Sequence, residues 1–301
     1  MAQTRILVTG ATGFIGRALI PYLVQHGFAV TALVREAYAQ ADTARWPPEL
    51  TAVRPQIDVV HGRLRNFQLT VRAVREAAPD VVLHLAAAGV TDPFLAVDTA
   101  VRHNLTGTTN LLRACFEKTS STRQVIVART PGERTSMNVY AASKAAAWNF
   151  CELYGRTHQW PIHGAMIFQA YGPGQSPRNL IPAALAAARA AQDFPMTAGS
   201  QQRDWIYVSD VVAGLTAMLS PSVSLTPGET VELGSGQATS LLDVVQLVYR
   251  LVGRGGRPLP GTLPTRPGEV DTQVANAVQT KERIGWGTAV TLEQGMKNVI
   301  G

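Results

Sequence analysis

Cysteine and lysine are scarce in this chain. Two cysteines, Cys115 and Cys151, cannot build a disulfide framework or a cysteine-based zinc site, so no metal is expected and a reducing cytoplasm is the expected compartment. Charged residues make up 16% of the 301 positions, below the usual ~25%. A hydrophobic share of 46% nevertheless excludes a disordered chain. No apolar run approaches the ~18 residues of a membrane span. The N-terminal residues lack the apolar stretch and cleavage site of a secretory signal, so no membrane association is expected. Four lysines stand against 23 arginines, and the formal net charge is +6. These cations are scattered, without the like-charge runs of a nucleic-acid-binding arm, so no nucleic-acid partner is expected. Isolated arginines suit phosphate groups. Internal repeats and low-complexity tracts are absent.

The length allows two domains or one large layered unit with its own core. Short apolar runs at 5–9, 28–34, 57–60, 80–85 and 124–128 read as strands. Apolar-periodic segments at Phe14–Val24, 100–116 and 139–156 read as helices, the first expected to kink at Pro21. Strands apolar on both faces and alternating with helices imply an α/β fold, a Rossmann-like doubly wound parallel sheet. Beyond residue 170 the alternation breaks at Gly172-Pro173-Gly174, Pro177 and Pro182. The expected division is a Rossmann-like domain at 1–170, to which the chain returns around 205–235. A smaller, irregular α/β lobe at 171–301 would lie over the C-terminal ends of the strands.

Gly10-Ala-Thr12-Gly13-Phe14-Ile15-Gly16 follows the first strand and opens a helix. Glycines let the backbone approach a pyrophosphate, and a helix N-terminus offers N–H donors and positive dipole. Tyr140-Ala-Ala-Ser-Lys144 sets a phenol and an ammonium one helical turn apart on one face. Together, in this order, the two motifs resemble the short-chain dehydrogenase/reductase superfamily. Leu85-Ala86-Ala87-Ala88, Asn104-Leu-Thr-Gly107-Thr108, Tyr171-Gly-Pro173, Asn179-Leu-Ile-Pro182, Arg203-Asp204-Trp-Ile-Tyr, Arg266-Pro-Gly-Glu269 and Ile284-Gly-Trp286 narrow the resemblance. They are similar to the extended branch, the NAD-dependent epimerase/dehydratase family, which acts on nucleotide sugars.

The resemblance implies an enzyme using NADP or NAD on a nucleoside-diphosphate sugar, and a homodimer. It implies that the cofactor meets the glycine loop, Arg35, Arg63, Leu64, Leu85, Ala86, Ala87, Asn104, Tyr140, Lys144 and Tyr171. Asn179, Arg203 and Arg266 would hold the substrate diphosphate and Glu269 a ribose. Bidentate arginines suit a diphosphate, although Arg203 with Asp204 or Asp210, and Arg266 with Glu269, also read as structural ion pairs.

The sequence departs from that family at three places. The second strand ends Leu33-Val34-Arg35, with no acid before Glu36. A cation there suits a 2′-phosphate, and hence NADP. Gly62-Arg63-Leu64 stands where the family has Gly-Asp-Leu. Val127-Ala128-Arg129-Thr130 ends the fifth strand, so Thr130 is the expected third catalytic residue, with Ser136 in reserve. Pro131 and Gly132 follow where 4,6-dehydratases carry Asp-Glu, which speaks against water elimination. The short loop, Gln201-Gln202-Arg203-Asp204 and Gly234-Ser-Gly236 most resemble 4-ketoreductases of the CDP-abequose/paratose synthase type. Expected chemistry is hydride transfer at sugar C4 with Tyr140 exchanging the proton. Lys144 and a positive nicotinamide would lower the phenol by about 3 pH units from its usual ~10. A 4-epimerase and a catalytically silent NADP-binding sensor are the competing expectations.

Overall fold

The computed structural model describes residues 3–35, 46–92, 94–265 and 268–301. Two compact units are present, the first comprising residues 1–166 and 219–231, the second 167–218 and 232–301. The return into the first unit is thus shorter than the 205–235 expected.

In the first unit β1 (Arg5–Thr9), β2 (Ala29–Val34), β3 (Asp58–His61), β4 (Val81–His84), β5 (Gln124–Arg129) and β6 (Ile162–Ile167) alternate with helices. These helices are α1 (Phe14–Gln25), α2 (Pro48–Val53), α3 (Phe67–Ala77), α4 (Val97–Ala100), α5 (Gly107–Glu117) and α6 (Val139–His158). Residues Val101–Thr106, between α4 and α5, form a π-helical turn. α1 runs through Pro21 without a break, at the cost of the one hydrogen bond that residue 21 cannot donate.

The second unit contains β7 (Gln169–Tyr171), α7 (Leu180–Arg189), β8 (Phe194–Pro195), β9 (Gln202–Tyr207) and α8 (Val208–Ala217). After β10 (Thr230–Leu233) come β11 (Ala238–Ser240), α9 (Leu241–Val252), β12 (Pro258–Leu259), β13 (Thr272–Gln273), α10 (Ala277–Ile284) and α11 (Leu292–Ile300).

The large sheet has seven strands in the order β10-β6-β5-β4-β1-β2-β3. All pairings among β1 to β6 are parallel. β4 and, after exposed Arg5, β1 show almost no surface, as expected of strands covered on both faces. The crossover from β3 by way of β1 to β4 puts a reversal of strand order beside the β1–α1 turn, where doubly wound sheets bind ligands. The second unit builds a smaller sheet on β9, flanked by antiparallel β11 and by parallel β7 and β13. Its core packs Tyr171, Ile181, Leu185, Trp205, Val244, Val248 and Met296 together.

Candidate active site

The β1–α1 turn is forced by packing. Gly10 has φ of +72°, and a Cβ there would lie 2.7 Å from the Ala86 nitrogen, so the turn rests directly on the chain leaving β4. A Cβ on Gly16 would lie 2.4 Å from the Gly10 carbonyl oxygen. Gly13 is exposed at the N-cap of α1, which has no side-chain cap and no acid in its first turn. Half-buried Thr12, Phe14 and Ile15 continue the loop. First-turn N–H groups without a cap, on a helix end without a carboxylate, fit a diphosphate.

Beneath this loop runs a buried hydrogen-bond chain. Thr9 Oγ1 meets His84 Nδ1 at 2.7 Å and His84 Nε2 meets Thr108 Oγ1 at 2.9 Å. Thr108 donates to the Asn104 carbonyl at 2.6 Å. Burial, assisted by the Lys144 charge, holds the His84 pKa down to about 3, so the ring is neutral. Half-buried Leu85, Ala86 and Ala87 follow β4, and the Ala86 N–H donates to Thr9 Oγ1 at 3.3 Å.

Asn104 was expected against the cofactor. Its amide instead accepts from the Ala88 N–H at 2.8 Å and donates to the Ala88 carbonyl at 2.9 Å and to Ser143 Oγ at 2.8 Å. It is a clamp joining the β4 loop to α6. Ser143 completes the clamp by donating to the Tyr140 carbonyl at 2.8 Å. The π-helical turn that carries Asn104 aims the amide at both partners, as such turns commonly do near functional sites.

Helix α6, which carries Tyr140 and Lys144, starts under the cap of Asn138, whose side chain accepts from the Ala141 N–H at 2.8 Å. Gly89, at φ +100°, brings the chain over the Tyr140 ring, where a Cβ would sit 3.1 Å from Tyr140 Cβ. Lys144 is buried and donates to the Ala128 carbonyl at 2.5 Å, tying α6 to the end of β5. Burial pushes the Lys144 pKa down, against the upward pull of Glu133. The Tyr140 pKa moves up, first through burial and then through Glu133. The expected lowering by Lys144 is therefore not seen in the protein alone. In a dry site the phenolate loses its hydration, and the Glu133 carboxylate adds a like charge that opposes it.

Thr130 is half-buried directly after β5, while the reserve Ser136 is exposed at φ +50°. The residue that sequence reasoning missed is Glu133. Its side chain accepts from Arg129 Nε at 2.8 Å and from the Thr130 N–H at 2.9 Å. The spacing Thr-x-x-Glu is the signature of a capping box and would have revealed it. Both carboxylate oxygens are held by chain donors, so Glu133 is not placed as a mobile proton carrier.

In the second unit, Asn179 occupies the N-cap of α7 without making a side-chain cap hydrogen bond, so its amide fits a ligand role. Buried Arg203 lies 3.5 Å from Glu269 Oε1 and donates to the Gln202 carbonyl at 2.9 Å. The ion pair considered from sequence thus exists, with Glu269 as partner rather than Asp204 or Asp210. Asp204 accepts instead from the Ser235 N–H and hydroxyl, the Gly236 N–H and the Ala275 N–H. Asp210 accepts from the Val290 N–H at 3.0 Å. Tyr171 requires a correction: its ring is fully buried in the core of the second unit, and its hydroxyl donates to the Leu292 carbonyl at 3.2 Å. No surface of its side chain remains for a cofactor. Arg266 and Glu36 lie outside the described residues.

Arg35 is exposed at the end of β2, and exposed Arg63 and half-buried Leu64 follow β3. Comparison with known proteins matches residues 6–234 to the NAD dependent epimerase/dehydratase family. The chain belongs to this family. It is accordingly an enzyme of the short-chain dehydrogenase/reductase superfamily. The chain is 28% identical to a dTDP-glucose 4,6-dehydratase of Xanthomonas campestris pv. campestris, covering 98% of this chain and 91% of that protein. It is 26% identical to a UDP-glucose 4-epimerase of Neisseria meningitidis serogroup B, over 98% of this chain and 95% of that one. The fold superposes on a UDP-glucuronic acid 4-epimerase from Bacillus cereus, solved with UDP-glucuronic acid and NAD. The TM-score is 0.84 and the identity 22%, covering 98% of this chain and 97% of the other. Among the described residues no helix of this family member is long and apolar enough to cross a membrane.

Proposed function

We propose that this enzyme reduces a 4-keto nucleotide sugar at C4 with NADPH. The observation that carries this reading is the site after β5. Pro131 and Gly132 replace the acidic pair, and the nearby Glu133 has both oxygens engaged by Arg129 and the Thr130 N–H. C4 redox chemistry needs no further carboxylate, whereas loss of water needs a mobile acid and base.

The nicotinamide, when bound, supplies the hydride. Tyr140 supplies the proton to the C4 oxygen as its negative charge develops. A phenol kept protonated by burial and by Glu133 suits this direction of reaction. Thr130 donates a hydrogen bond to the same oxygen and fixes its position. Lys144 orients the end of β5 through Ala128 and adds positive charge beside the phenol. Asn179 and Arg203 hold the substrate diphosphate, with Arg266 as a third donor. Glu269 keeps Arg203 in place and accepts from a ribose hydroxyl. The glycine loop takes the cofactor diphosphate, and Arg35 takes the 2′-phosphate that marks NADP.

The similarity to the Neisseria 4-epimerase supports a second reading, interconversion of 4-hydroxy epimers with retained NAD. Reduced-cofactor absorbance, followed with 4-keto and 4-hydroxy sugar nucleotides, decides between them. Stoichiometric consumption of NADPH with a 4-keto substrate is the expected result. Interconversion of epimers without net redox change, on NAD that stays bound through purification, establishes the epimerase instead.

A further inference from the structure

Three arginines line one cavity of about 470 Å³ in the first unit: Arg63 and Arg65 from the turn between β3 and α3, and Arg102 from the π-helical turn. Asn66, Leu69 and Thr106 complete its wall. The turn itself is pinned. The Asn66 N–H donates to the Arg63 carbonyl at 2.7 Å, and the Asn66 side chain accepts from the Leu69 N–H at 3.0 Å. Asn110 donates to the Leu64 carbonyl at 2.8 Å, and the Thr70 hydroxyl donates to the Asn66 carbonyl at 2.8 Å. The backbone is fixed while the long guanidinium arms stay exposed.

Two of these cations, Arg65 and Arg102, are weakly paired. Arg102 meets Asp98 at 3.1 Å, but both side chains are more than half exposed, and such a pair is weak. Arg65 has no ion-pair partner among the described residues. Arg35 and Arg65 both act on His103, whose pKa is lowered by burial and by these two cations. Val34 pairs with His61 and its carbonyl accepts from the Gly62 N–H at 3.0 Å, so Arg35 and Arg63 leave adjacent strands and the end of β2 adjoins the cavity's arginines.

Strand order gives this arrangement a meaning. Neighbouring strands lie ~4.8 Å apart, so the end of β3 is about 10 Å from the glycine loop after β1, with Arg35 between them. In a doubly wound sheet the adenosine half of a dinucleotide extends from the β1 turn over the end of β2. A phosphate on that ribose carries about −1.5 to −2 charges, and guanidinium forks bind it bidentately.

We propose that the cavity of Arg63, Arg65 and Arg102 takes the 2′-phosphate of NADP, with Arg65 and Arg102 as specificity-determining contacts beside Arg35. This rests on the NADPH part of the reading above. It adds two residues from beyond the end of β2, so that cofactor choice is shared between three segments of chain.

Calorimetric titration of the whole protein with 2′,5′-ADP, ADP and inorganic phosphate tests it. The wild type is expected to bind 2′,5′-ADP at least tenfold more tightly than ADP. Arg65→Ala and Arg102→Ala should each reduce that ratio threefold or more and leave ADP affinity unchanged, which also reports that the fold is intact. A wild-type ratio that survives both variants overturns this inference and leaves the NADPH reading standing on Arg35. A wild-type ratio near one overturns both. Phosphate binding that depends on Arg65, without a preference for 2′,5′-ADP, identifies an independent anion site and also overturns it. Turnover of 4-keto sugar nucleotides is read separately and tests the substrate assignment.

Discussion

Arg129, the last residue of β5, and Glu133 form a buried ion pair, Nε to Oε2 at 2.8 Å, with side chains 13% and 1% exposed. The guanidinium lies 4.2 Å from the centre of the Trp148 ring and donates to Thr230 Oγ1 at 2.9 Å. A Cβ on Gly164 would come within 2.8 Å of Arg129 Cδ, so the glycine leaves room for this arm. The pair links the short loop after β5 electrically to Tyr140 and Lys144, since Glu133 adds to the rise of the Tyr140 pKa and opposes the burial-driven fall of the Lys144 pKa. Removing one partner of a buried pair strands the other charge and costs about 3–5 kcal/mol. Arg129→Met should lower urea-unfolding stability by that amount, and Arg129→Met with Glu133→Gln should recover part of it. A loss under about 1 kcal/mol in the single variant would show that water reaches the pair.

Tyr140→Phe removes the proposed proton donor and nothing that packs. Its turnover should fall by at least about two orders of magnitude, the lower range for a general acid, with thermal stability and NADPH affinity preserved. Full activity in this variant would assign the proton to another group.

The neutral state of His84 makes stability depend on pH. Its folded pKa, about 3, lies below the ordinary 6.5. Between these values the unfolded chain binds the proton and the native chain does not, so stability falls as pH decreases through this window. From pH 6.5 to 5 the loss from this residue should be about 1.6 kcal/mol, since the slope grows from half to nearly all of 1.36 kcal/mol per pH unit across that range. Urea midpoints across this range should decline more steeply in the wild type than in His84→Asn. Equal slopes would place the ring in contact with water.

Arg203 should contribute to substrate binding and not to cofactor binding. Arg203→Ala is expected to weaken nucleoside diphosphates by roughly 1.5–3 kcal/mol, the range for hydrogen bonds to charged groups, while NADPH affinity is unchanged. Calorimetry with UDP, CDP, GDP and dTDP reads this directly. If none of the four binds the wild type, the nucleotide-sugar assignment fails.

Local sequence determined the elements that depend on near neighbours. Alternating apolar runs set β1 to β5. The β1–α1 turn follows from glycines, because no other residue fits at Gly10 or Gly16. The Tyr140–Lys144 pairing follows from helical spacing alone. Thr-x-x-Glu at Thr130 to Glu133 was equally legible, although only the structure shows that its carboxylate faces Arg129. What remained hidden depends on residues distant in the chain. Asn104 carries the same amide whether it touches a cofactor or clamps Ala88 to Ser143. Tyr171 reads as a site aromatic until the core of α7, α9 and α11 closes over it. Arg203 finds Glu269 across 66 residues, and Arg65 and Arg102 share a cavity because β3 and the π-helical turn meet in space. A side chain's chemistry is written in the sequence, but its partners are fixed by which backbone segments the sheet order brings together, and that is a property of the tertiary fold.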